Sequence, residues 1–129
     1  MPEFKLDTSS PAGSAIRFDE LEPLTQGYVE ALFFTSEDEL GTAAFSDLAP
    51  RTLARIIRDC TAFRAAAGPL IDGEEERAGR DFWFTRNGHG VGFWEAGRWP
   101  EPAADTLDRL ARVGGVDAYL GDDGKVYMA

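Results

Sequence analysis

The chain has a single histidine, His89, and a single cysteine, Cys60, which closes any site needing two imidazoles, any zinc centre built on cysteines and any internal disulfide. His89 stands in the turn sequence Asn87-Gly88-His89-Gly90, where an exposed imidazole serves a turn or a contact more readily than general-base catalysis. Cys60 falls on the apolar stripe of a helical segment and reads as inert core packing. Asp122-Asp123-Gly124 offers carboxylates that suit a hard cation. Lys125, Val126 and Tyr127 follow, however, in place of the alternating oxygen ligands a calcium loop needs, so turn chemistry accounts for these residues. Gly88 to Gly92 is glycine-rich without the Gly-Lys-Ser/Thr of a phosphate loop, and no serine lies in a nucleophile-elbow sequence. No catalytic residue, metal ligand or cofactor is therefore assigned. An enzyme or metal-dependent factor survives only as an alternative in which His89 works with Asp81 or Asp117.

The residue types that remain suit binding. Trp83 and Trp94, with Arg86, Asn87 and His89 close by in sequence, have the makeup of an interaction hot spot. Glu37, Asp38 and Glu39 form an acidic run. The formal net charge is −10, and residues 1 to 49 hold ten acids against Lys5 and Arg17, so the excess is concentrated in the first half. That balance repels phosphate backbones and anionic lipid surfaces, which argues against direct nucleic-acid or membrane binding; the excess acid serves as a solubilising coat or meets a protein partner with a basic surface. Self-association through an uncovered tryptophan face is the other use of the aromatics. No apolar stretch approaches the roughly 20 residues of a membrane span, and Met1 to Thr8 lack the basic-then-apolar pattern of a secretory signal, so a cytoplasmic location is expected.

These side chains have to be positioned by one domain, the expected content of 129 residues. Residues 1–15, rich in Pro, Ser and Gly, read as an irregular leader, and 16–129 as the domain. Apolar positions Leu21, Leu24, Tyr28, Ala31 and Leu32 predict a first helix with Pro23 in its first turn. Pro50 opens a second, whose stripe of Leu53, Ile56, Ile57, Cys60 and Phe63 runs to Gly68-Pro69, and Ala103 to Ala111 carries a third. Asn87-Gly88 between the aromatic runs Phe82-Trp83-Phe84 and Phe93-Trp94 predicts a type I′ hairpin, with Phe82, Phe84, Val91 and Phe93 on its core face and Trp83 and Trp94 on the other. Val116 to Leu120 and Lys125 to Met128 predict a second hairpin. The resulting expectation is an α+β fold in which an antiparallel sheet of about four strands, two hairpins, packs against two or three helices.

The block from Asp81 to Trp94, centred on Thr85-Arg86-Asn87-Gly88-His89-Gly90, resembles a hairpin motif of small uncharacterised proteins carried by bacteriophages, prophages and plasmids. Phe45 to Pro50 with Leu53 to Ile57, and the closing Tyr119 to Gly124, resemble the same family, and the three together span roughly residues 28–128. The resemblance implies a genetic setting, a bacterial host cytoplasm, and no catalytic residues. The reading that follows is a non-catalytic binding protein of mobile-element origin acting on a host protein. One version has its acidic surface imitating nucleic acid to block a defence or DNA-handling complex. A self-associating structural or housekeeping phage protein is the third possibility.

Overall fold

Pro50 in a first turn and Gly68 at φ 56° bound the longest helix, and each end follows from residue type: proline has no N–H to lose there, and glycine reverses the chain without Cβ strain. The computed structural model describes residues 16–95 and 97–129; the leader at 1–15 lies outside the described residues. In chain order the elements are α1 (Pro23–Thr35), α2 (Glu37–Leu40), α3 (Pro50–Ala67), α4 (Glu75–Asn87), α5 (Ala103–Ala111), β1 (Ala118–Leu120) and β2 (Val126–Met128), with short 3₁₀ turns at Phe18–Glu20, Phe45–Asp47 and Gly68–Ile71. Leu53, Ile56, Cys60 and Phe63 are the buried stripe of α3, as their spacing requires. Burial pushes the Cys60 thiol well up, so its sulfur is a core atom and a poor nucleophile. Among the described residues, no helix is long and apolar enough to cross a membrane.

The core is built on helix α1, which packs along α4 and against α3, while α5 closes α3 and α4 from the other side. Two glycines set how closely α1 and α4 approach. A Cβ on Gly27 would collide with the Glu76 carbonyl, and one on Gly79 with the Leu24 carbonyl, so backbone meets backbone at both points. Around this crossing Tyr28 meets Phe82 and Trp83 at ring separations of 5.3 and 5.2 Å, and Phe63 stacks on Phe82 at 4.4 Å. These are favourable aromatic geometries beyond simple area burial.

The expected four-stranded sheet is not there. The sheet of the described residues has two strands, β1 and β2, antiparallel, with Ala118 opposite Met128 and Leu120 opposite Val126. That hairpin is the second of the two expected. The first is replaced by α4, and the fold is mainly helical. Asn87-Gly88 ends that helix: Gly88 takes the left-handed conformation (φ 66°, ψ 41°), and the His89 N–H donates to the Phe84 carbonyl at 3.1 Å. A type I′ turn and a helix C-terminus both call for positive φ at the glycine, so one dipeptide satisfies either. What selects the helix is packing. At helical spacing Ala78, Phe82 and Arg86 fall in one row and Gly79 and Trp83 in the next, and all five are buried. Glu75 and Glu76 in the first turn and Arg86 in the last also complement the helix dipole.

Beyond Gly88 the chain folds back over α4. The Phe93 N–H donates to Thr85 Oγ1 at 3.0 Å, burying Phe93 as expected, but from a loop. Phe84, expected on the core face, is only half-buried. The wholly buried Asp81 carboxylate fixes the far end of this loop by accepting from Trp99 Nε1 at 2.6 Å and from Arg98. It thereby satisfies the buried Trp99 N–H, which would be costly to leave unpaired, and its own charge is balanced by Arg98.

Candidate protein-binding surface

The loss of the first hairpin redistributes the residues expected to form one aromatic face. Trp83 is 2% exposed and Trp94 is 52% exposed, so no common face exists. The Trp83 indole donates to Thr35 Oγ1 at 2.8 Å, and Thr35 Oγ1 donates in turn to the Ala31 carbonyl at 2.9 Å. Arg86 is buried and extends inward, donating to the Gly114 carbonyl at 2.8 Å, the Tyr28 hydroxyl at 3.1 Å and Asp59 at 3.1 Å. Asn87 works as a clamp, with its amide donating to the Trp83 carbonyl and its oxygen accepting from the Val116 N–H at 2.7 Å. That clamp ties the end of α4 to the approach of β1.

His89 is exposed and lies nearly parallel to Trp83, 20° between planes with centroids 6.3 Å apart. It lines a recess of about 300 Å³ together with Trp83, Ser36, Glu39, Asp117 and Tyr119. A second recess of about 430 Å³ shares Glu39 and adds Asp38, Asp47 and Leu120. Both are created by α2 packing beside β1. Glu37, Asp38 and Glu39, the acidic run, are the exposed face of the α2 turn, while Leu40 anchors it in the core.

Four carboxylates thus line two adjoining recesses into which, among the described residues, no lysine or arginine projects. Among the described residues none of these four, nor Glu37, forms an ion pair; elsewhere most acids are paired, as Glu30 is with Arg80 and Asp108 with Arg112. On the rim Tyr119 is 43% and Leu120 44% exposed. Asp123, next to Leu120 across the turn, is held below the usual carboxylate range by the Tyr127 hydroxyl and the Lys125 N–H, so turn and strand consume it.

Of the expected binding residues, Trp83, His89, Asp38 and Glu39 are brought to this end of the molecule, and Glu37 is on the same turn. Arg86 and Asn87 lie behind it as structural supports, and Trp94 lines neither recess. Asp47 and Leu120 were not singled out by sequence. The residue type of Asp47 and its place before Pro50 suggest a cap for α3, but that helix starts from Ala49 without a side-chain cap, and the Asp47 carboxylate closes the preceding 3₁₀ turn by accepting from the Ala44 N–H at 2.9 Å. Strand alternation would bury Leu120 opposite to Tyr119, whereas both are exposed.

The enzyme alternative fares unevenly in this geometry. Asp81 is committed to Trp99 and Arg98, while Asp117 does share the recess with His89. Among the described residues no three His, Cys, Asp or Glu side chains are grouped to hold a metal ion. Comparison of the chain with protein-family models finds no match. Neither the curated proteins nor the solved structures provide a match.

Proposed function

We propose that the protein acts by binding, without catalysis, a basic segment of a partner protein at the end formed by α2 and β1. The observation that carries this reading is the pair of adjoining recesses lined by Asp38, Glu39, Asp47 and Asp117, free of lysine and arginine among the described residues and rimmed by exposed Tyr119 and Leu120. Lysine or arginine side chains fit such recesses chemically: the carboxylates supply charge, and the stem of a long basic residue covers the aromatic and aliphatic rim. The exposed His89 ring, lying nearly parallel to the buried Trp83 behind it, adds a flat contact. In the mobile-element setting that the resemblance of the Asp81–Trp94 block implies, the partner is a host protein, and occupying the basic side chains it uses to hold phosphates would inhibit it.

The test uses a lysine- and arginine-rich peptide and the variant Glu37→Gln, Asp38→Asn, Glu39→Gln. These three side chains are exposed, so the fold should survive with its melting temperature within a few degrees. The association rate at low salt should fall about tenfold, since exposed charges act mainly on encounter, and the wild-type rate should drop toward that of the variant as salt rises and screening shortens to about 8 Å. Equal rates for the two proteins at low salt would overturn the proposal and leave the acids as a solubilising coat.

A further inference from the structure

Arginine is concentrated on another face, in a cleft of about 460 Å³ between α3, the end of α4 and the end of α5. Arg55, Arg58 and Arg86 converge there on one carboxylate, Asp59. The hydrogen bonds are unequally shared. Arg86 donates to Asp59 at 3.1 Å, whereas the Nε atoms of Arg55 and Arg58 stand 3.7 Å from its oxygens, within Coulomb range but beyond hydrogen-bond length. Arg86 is held rigidly by Gly114 and Tyr28, and among the described residues its Nη2 has no hydrogen-bond partner. Arg58 is 72% exposed and free to swing toward a ligand. Three guanidiniums against one carboxylate leave the cleft with two surplus positive charges in a chain of net charge −10.

The rest of the lining is apolar. Phe63 and Phe82, stacked at 4.4 Å, belong to one wall, and Leu110 and Val113 to the other, with Val113 58% exposed at the mouth. Charged donors beside apolar walls in a space of this size are the makeup of a small-molecule site.

We infer that this cleft binds an organic phosphomonoester, its phosphate held by Arg55, Arg58 and the unused Nη2 of Arg86 in the cleft lining, and its organic group against Leu110 and Val113. A phosphomonoester carries about two negative charges at neutral pH, matching the local surplus, and guanidinium forks fit its oxygens. Polymers of phosphate are disfavoured, because the acidic remainder of the chain repels an extended polyanion while a small dianion meets only the local field. This site is separate from the acidic recesses, so it stands or falls independently of the function proposed for them.

Calorimetric titration with phenyl phosphate, inorganic phosphate and phenol tests it on the full chain. Phenyl phosphate should bind saturably with a Kd below about 1 mM, inorganic phosphate at least about fivefold more weakly, and phenol not at all. Arg58→Gln should weaken phenyl phosphate about tenfold, the weight of a charge-assisted hydrogen bond, with the melting temperature unchanged. Arg17→Gln removes the same charge at an exposed position just before the 3₁₀ turn that precedes α1 and should leave the affinity as it was. The inference is overturned by no saturable binding of phenyl phosphate, by inorganic phosphate binding equally well, or by equal losses in the two variants.

Discussion

Gly79→Ala should destabilise the protein by about 3 kcal/mol, the upper part of the range for forcing extra atoms into a packed core, and lower its melting temperature by roughly 12 °C. The added methyl would meet the Leu24 carbonyl and the Tyr28 N–H of α1, which are backbone atoms with no rotamer to change, so the two helices must separate. Separation loosens Tyr28 against Phe82 and Trp83, the centre of the core. Gly27→Ala should behave alike, since its methyl meets Glu76 on the opposite helix. The ordinary effect of Gly→Ala in a helix is a gain of up to about 1 kcal/mol, so the expected sign is reversed. Chemical melts of both variants check this. A stability equal to or above wild type would mean that α1 and α4 do not cross at these residues.

Asp81→Ala should cost about 3 kcal/mol, the lower end of the range for breaking a buried charge pair. The low end applies because Arg98 is a third exposed and can turn to water, whereas Trp99 loses the acceptor of its buried N–H. Trp99 packs on Phe93 at 5.3 Å and carries the Arg77 guanidinium over its ring, so the loop from Gly92 to Trp99 should loosen with it. Tryptophan emission should shift to the red in the folded variant, and Asp81→Asn, which keeps an acceptor oxygen, should lose about half as much stability. A loss below about 1 kcal/mol would show that the loop is held by other contacts.

Which elements were legible in the sequence follows from their punctuation. Helix α3 announces itself by Pro50, a clean apolar stripe and Gly68; α5 by Leu107, Leu110 and Ala111 before Gly114; and the β1–β2 hairpin by Gly121-Asp122-Asp123-Gly124. Helix α4 was misread because Phe82-Trp83-Phe84 has strand preferences and Asn87-Gly88 fits a hairpin turn. Its helical character is local in Glu75, Glu76 and Arg86, but its decisive cause is Gly79 meeting α1, a pairing across some fifty residues that no short window contains. Tertiary packing overrode local preference. The binding surface was legible in part for the same reason. Glu37 to Glu39 stand together in the chain, while Asp117 and Leu120 reach them through α2 packing beside β1 and Asp47 through the 3₁₀ turn Phe45–Asp47.

Amide chemical-shift mapping with a lysine- and arginine-rich peptide at low ionic strength addresses the proposed binding surface most directly. Saturable shifts should be confined to Glu37–Gly41, Asp47, His89 and Asp117–Leu120, residues of the two acidic recesses and their rim, and should fade as salt is raised. Shifts scattered over the surface, shifts centred elsewhere, or none at all would contradict a partner site at this end of the molecule.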